Sequence, residues 1–323
     1  VKNNLGVNGT GIHWHGMRQL KTCTQDGVPG LTECPLSPGD TKTYTFKATQ
    51  HGTTWYHSHF SSQYGEGAFG PLIIDGPASS NYDEDLGPYM VNDYYYQTAW
   101  QLSLQSHNNL QMGQPPPPAD NLLVNGTAMS PSGAGKYSRT QMQKGKRYRL
   151  RLINPSVDNF IRVSLDGHSL TVISSDLIPI MPYNTTWVLF GPGQRYDVII
   201  EANADVGNYW FRAETETACA SSNNFYGRGI FSYAGAPAAD PASSAATKPS
   251  NCIDESPLVP WVPNNVGSVD DFKAQASNLD VDLTVEQLTT NGQSIVVWGI
   301  NLTSVSPLLL PKRCDTDRTY RSA

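Results

Sequence analysis

The chain has 323 residues, enough by the usual size of a folding unit for about two domains with cores of their own. It carries 22 Lys and Arg against 28 Asp and Glu, a formal net charge of -6, and only 15% of its residues are charged. That balance argues against nucleic acid or an anionic membrane surface as partner, and no run approaches the roughly 20 apolar residues of a membrane-spanning helix.

The first informative stretch, "GTGIHWHG", places His13 and His15 one residue apart. In a strand, successive side chains point to opposite faces, so these two histidines project together while Trp14 opposes them. "TKTYTFKA" (41–48) alternates in the same way, and "TTWYHSHF" repeats the histidine device with His57 and His59, Ser58 being opposed. After "FGPLIIDG", the segment "DGPASSNYDEDLGP" (75–88) reads as a linker. Short alternating or apolar runs follow: "YRLRLIN", "IRVSLDG", "SLTVISS", "RYDVIIEA" and "NYWFRAE". Within "KGKRYRLRLIN", Arg147, Arg149 and Arg151 alternate with Tyr148, Leu150 and Leu152, the pattern of a strand with one solvated face. No segment shows a sustained helical period. "AGAPAADPASSAATKPSN" (234–251) is too rich in Ala, Pro and Ser to fold alone. The whole predicts an all-β protein of sandwiches or barrels.

Four of the seven histidines are spent on the two paired motifs, whereas His51, His107 and His168 stand singly and read as ordinary hydrogen-bonded residues. Two histidine strands side by side would gather four imidazoles, each needing a polar partner, and metal coordination meets that need. A zinc hydrolase would require a general base or an open position as well, and a cupin-type site an acid that "HWHGMRQLK" lacks. An imidazole set without thiolate or carboxylate suits copper that cycles between oxidation states. The five cysteines form no C-x-x-C pair and none adjoins a histidine, so disulfides are their expected use. Cys219 and Cys252 flank the second linker and are predicted to pair. Asn8, Asn125, Asn184 and Asn301 open N-x-[ST] sequons, which with disulfides predicts a secreted glycoprotein.

"NGTGIHWHG", "DGVPGLTECPLSPGDTKTYTF" and "GTTWYHSHFSSQYGEGAFGPLIIDGP" resemble the first domain of laccases, the multicopper oxidases, in their ascomycete branch. "VNDYYYQ", "DNLLVNGT", "GKRYRLRLIN", "GQRYDVIIEA" and "NYWFRA" resemble the second. The resemblance implies tandem cupredoxin-like Greek-key β-sandwiches or barrels: domain 1 over 1–77, domain 2 over 78–240, a linker over 241–265, and over 266–323 the start of a third domain with a divergent tail. It implies copper as cofactor, His13 as ligand of a type-2 copper, and His15, His57 and His59 as ligands of a type-3 pair. It further implies a monomer that oxidises phenolic small molecules, with dioxygen as the final acceptor. Ascorbate, bilirubin and metal-ion oxidases share such a cluster, and a non-catalytic copper-binding sandwich is the alternative from another class.

The family's thiolate-and-histidine motif for a type-1 copper, H-C-H-x-x-x-H, does not occur here. The chain therefore reads as a fragment with half of the cluster ligands, its first domain lacking its opening strands and the third largely missing. An exposed edge beside the histidine strands is expected from this, and Cys34 resembles a cysteine whose C-terminal partner would be absent.

Overall fold

The computed structural model describes residues 1–130, 132–221, 223, 225–263, 268, 270, 283–290, 292–300 and 303–304. The paired histidines lie on β1 (Ile12–His15) and β2 (Gly52–Ser58), which with β3 (Phe69–Ile74) form an antiparallel sheet in the order β1-β2-β3. His13 lies directly opposite His57, and His15 opposite Trp55. By alternation Thr53, Trp55 and His57 share one face of β2, and Trp14 and Tyr56 project from the other. There Trp14 packs against Tyr44, Phe46 and Tyr56 at ring separations of 5.5, 5.5 and 6.1 Å. Residues 1–10 are tied to the following loop by isolated bridges, Lys2 to Thr41 and Thr10 to Leu36.

The expected strand over 41–48 is not one: it bridges only at Thr41 and otherwise runs without a ladder. Its alternation serves side-chain packing, with Tyr44 Oη donating to Glu33 at 2.9 Å while the ring meets Trp14.

Residues 84–233 form a two-sheet sandwich. One sheet contains β4 (Glu84–Tyr94), β5 (Asn121–Val124), β7 (Arg147–Ile153), β9 (Leu170–Ser175), β10 (Ile178–Thr185) and β12 (Arg195–Glu201), in the order β10-β9-β12-β7-β4-β5. The other contains β6 (Ser138–Met142), β8 (Ile161–Leu165), β11 (Val188–Phe190), β13 (Asn208–Thr215) and β14 (Tyr226–Tyr233), in the order β11-β8-β13-β14-β6. Alternate residues of both sheets enter one core: Tyr148, Leu150 and Leu152 from β7 meet Val163, Phe211 and Phe231. Burying each such side chain contributes about 1.5–3 kcal/mol. The linker expected over 75–88 is shorter than the sequence implied, because Glu84–Pro88 already belong to β4, where Asp85 is held by Arg151 at 2.6 Å.

The arginine face of β7 is solvated only at Arg147, whose side chain is 37% exposed. Arg149 and Arg151 are buried, because β2 lies over them. Asp197 of β12 sits between the two units: it accepts from Arg149 at 2.5 Å and from Thr53 Oγ1 at 2.6 Å, while Arg151 Nη1 donates to Thr53 Oγ1 at 2.9 Å. Arg195 adds a bond to the Thr53 carbonyl at 3.3 Å and an ion pair with Asp176 at 2.9 Å. The alternation was read correctly; what covers the polar face is a long-range fact.

The sequence did not announce the helix α1 (Ala99–Gln111). It starts in a capping box, Thr98 accepting from the Gln101 amide and the Gln101 side chain accepting from that of Thr98. Its apolar residues are half-buried or exposed, so the periodic signal is faint. At its end Gln111 donates to the Val296 carbonyl at 2.8 Å and accepts from the Val296 N–H at 2.6 Å. Val296 lies on β16 (Gln293–Ile300), which pairs with β15 (Leu283–Thr290) along its length and with β17 (Thr303–Ser304) only at Gly299 and Ile300.

Cys219 and Cys252 form a disulfide, as the sequence predicted; Cys34 is disulfide-bonded as well, against the expectation that its partner would be absent, and Cys23 is an exposed free thiol. The Ala- and Pro-rich segment has no regular structure of its own, yet Arg162 holds Asn251 at 2.7 Å and Glu255 accepts from Leu189 and Tyr183 at 3.0 and 2.9 Å.

Asp197→Asn should destabilise the protein by about 3–5 kcal/mol in urea unfolding, because it leaves buried arginine charge without its counter-ion. His168 supplies a pH test. Its Nε2 accepts from Tyr233 Oη at 2.7 Å and its Nδ1–H donates to the Asp166 carbonyl at 2.8 Å, and burial holds its pKa below the ordinary imidazole value. The unfolded chain therefore takes up a proton first as pH falls below about 6.5, and the folded state loses stability there. Unfolding midpoints for the parent and His168→Gln should converge from pH 7.5 to 5.5; a constant difference would refute the neutral assignment.

Candidate metal centre

The register of β1 on β2 brings the paired histidines together. The candidate ligand atoms of His13, His15 and His57 all lie within 4.8 Å of one another. His59 follows the last residue of β2 and is exposed; its ring stands 5.5 Å from that of His13 and 5.7 Å from that of His57, at the rim of the group. His51, His107 and His168 lie apart, with ring nitrogens bonded to the carbonyls of Pro77, Ser103 and Asp166 at 3.2, 2.7 and 2.8 Å.

Second partners orient the clustered rings. His57 Nδ1–H donates to the Ser58 carbonyl at 2.9 Å, which leaves Nε2 as a lone pair. His13 Nδ1–H donates to the Asp26 carbonyl at 3.0 Å, with the Asp26 carboxylate 3.3 Å away, so its Nε2 is likewise free. His15 differs, for it is Nδ1 that lies 3.3 Å from His57 Nε2.

Burial keeps two of the rings neutral. Burial, and then the Arg195 guanidinium, push His15 down to about 3. Burial lowers His57 to about 4 against the opposing bond to Ser58. An imidazole must be unprotonated to ligate, so at neutral pH these two offer lone pairs rather than charge. An all-nitrogen donor set, with the far-side N–H groups of His13 and His57 tied off, fits copper as the sequence implied.

Several residues at the site escaped the sequence reading. Trp55 stacks on His57, with ring centroids 4.4 Å apart and planes at 28°. The i, i+2 alternation that paired the histidines would have found it. Asp26, Gly193 and Arg195 carry no local signal, since they reach the histidines only through the folded chain. Gly16 shows why the motif ends in glycine: its φ is +76°, and a Cβ there would sit 2.5 Å from Arg195 Nη2.

Family models described as multicopper oxidase match residues 1–79 and 86–236. The chain is 51% identical to Laccase-3 of Botryotinia fuckeliana over 94% of its own length and 66% of that protein, and 46% identical to a laccase of Neurospora crassa over 95% and 48%. The crystal structure of the laccase from Botrytis aclada superposes with a TM-score of 0.80 at 44% identity, covering 94% of this chain and 55% of that one. Fet3p, a multicopper oxidase that functions in iron import, superposes with a TM-score of 0.77 at 26% identity over 92% and 54%. The chain thus spans between about half and two thirds of the length of these relatives. Its sandwich is cupredoxin-like, the metal its family implies is copper, and the chain belongs to the multicopper oxidase family.

Proposed function

We propose that this chain is part of a secreted, monomeric laccase-type oxidase that takes electrons singly from phenols and passes them to dioxygen. Four phenols would give four phenoxyl radicals, four protons and four electrons, and dioxygen would take up all eight particles to become two waters. Identities of 44–51% to fungal laccases, against 26% to the iron-import oxidase, favour phenols over metal ions as electron donors. The observation that carries the reading is the cluster itself: His13, His15 and His57 converge, burial lowers the pKa of His15 and His57, and no carboxylate ligand is among them.

In this reading His13 would hold a type-2 copper, and His15, His57 and His59 would contribute to a type-3 pair. Copper would supply one-electron redox cycling and a binding place for dioxygen. The chain's own residues do the positioning. The Asp26 and Ser58 carbonyls fix the His13 and His57 tautomers, and burial together with Arg195 keeps His15 from taking a proton. We assign residues 1–77 and 78–240 to two cupredoxin-like units, 241–265 to a connecting segment, and 266–323 to part of a third. The disulfide at Cys219–Cys252 and exposed sequons at Asn8, Asn125 and Asn184 support secretion, with glycans on all three; Asn301 lies outside the described residues. No helix among the described residues is long and apolar enough to cross a membrane.

The chain as it stands should bind copper, with its affinity lowered at least about 100-fold by His13→Ala combined with His57→Ala, as read by copper titration with electron paramagnetic resonance. No cysteine in the sequence has a histidine within three residues, so a blue thiolate-copper absorption is not expected. Oxygen uptake with a phenol should accordingly stay at the level of free copper. Steady turnover above that control would show a different entry point for electrons, and a parent chain that binds no copper would sink the reading.

A further inference from the structure

We infer that Trp55 and Gly193 are positioning residues that together form a slot for the His15 ring, so that a loop of the sandwich sets one ligand of the centre on the first sheet. For the consequence to copper the inference rests on the proposed function; for the ring itself it does not.

Trp55 makes one wall. It is 3% exposed, and its register opposite His15 puts both side chains on the same face of the sheet. The two rings lie 4.9 Å apart with planes at 31°, and the same indole stacks on His57 at 4.4 Å. A single flat surface therefore aligns two imidazoles at once. Such contacts contribute about 0.5–1.5 kcal/mol beyond area burial, which is enough to select one ring orientation.

Gly193 makes the other wall. A Cβ at this position would lie 3.0 Å from His15 Cε1 and 3.1 Å from Nε2, so the bare backbone is close against that edge of the ring. The loop is fastened: the Gly193 N–H donates to the Asn154 carbonyl at 2.7 Å, and its own carbonyl accepts from Arg195 Nη1 at 2.8 Å. Its φ of +85° is a further reason for glycine. With the Cε1–Nε2 edge against Gly193 and a face against Trp55, rotation of the ring about its Cβ–Cγ bond meets the indole or the backbone. Nδ1 is thereby left facing His57 Nε2 at 3.3 Å. His13 and His57 are set differently, by hydrogen bonds from Nδ1 to backbone carbonyls; His15 Nδ1 meets only the His57 imidazole, and its ring is set by packing.

The test uses the full chain with Trp55→Leu, Trp55→Phe and Gly193→Ala. In metal-free protein, the imidazole nitrogen resonances of His15 are followed by NMR, with the distant His168 as internal reference. Gly193→Ala and Trp55→Leu should shift the His15 signals and leave those of His168 in place, and copper affinity should fall about 10–100-fold. Trp55→Phe keeps a flat ring and should restore most of both. If the two disruptive variants do not fold, Trp55→Phe carries the test through a smaller shift of the same signals. Folded variants whose His15 signals match the parent overturn the slot. A parent that binds no copper, with His15 responding as described, leaves the slot standing and refutes the copper reading instead.

Discussion

Asp197, 1% exposed, accepts from Arg149 on its own sheet and from Thr53 on the neighbouring one, and the geometry of the histidine centre hangs from that junction. A seam of packed hydrocarbon would cost less desolvation, yet it would tolerate displacement of one sheet over the other. Directional bonds tie Thr53 to a single position through its hydroxyl and its carbonyl. Trp55 and His57 follow on the same face of β2, so fixing Thr53 also fixes where those rings stand, and with them the His15 ring that lies between Trp55 and the Gly193 backbone. Sheet docking and ligand placement are thus one constraint met by one strand.

The same seam shows where reading the sequence stops. Period-2 alternation identified His13 with His15 and His57 with His59 without any knowledge of tertiary structure, because strand geometry alone decides which side chains point together. It also placed Arg149 and Arg151 on a common face. Whether such a face meets water or a second sheet depends on residues far along the chain, here Thr53 and Asp85, and polarity of the face is no guide when its charges are paired. The extended segment around Tyr44 and the helix after Thr98 follow the same logic: one alternates without a neighbouring backbone, and the other is helical without a strong apolar stripe.

Arg195 has a double role at the junction. Its side chain fastens the sandwich to Thr53 while its charge lies close enough to His15 to disfavour protonation. A buried cation beside ligands for a cation works against the metal by simple Coulomb repulsion. The ion pair with Asp176 offsets part of it, and the neutral state of the imidazole is retained.

Gln111 illustrates a different kind of economy. By donating to the carbonyl and accepting from the N–H of one residue, its carboxamide reproduces at Val296 what a neighbouring backbone would provide. Among the described residues β17 meets β16 only at Gly299 and Ile300, and at Val296 it is Gln111 that meets the strand. A sheet margin left open is in general a template on which another chain can dock. At Val296 the carboxamide takes both backbone groups that an added strand would use, so one side chain at the end of a helix closes that point of the margin.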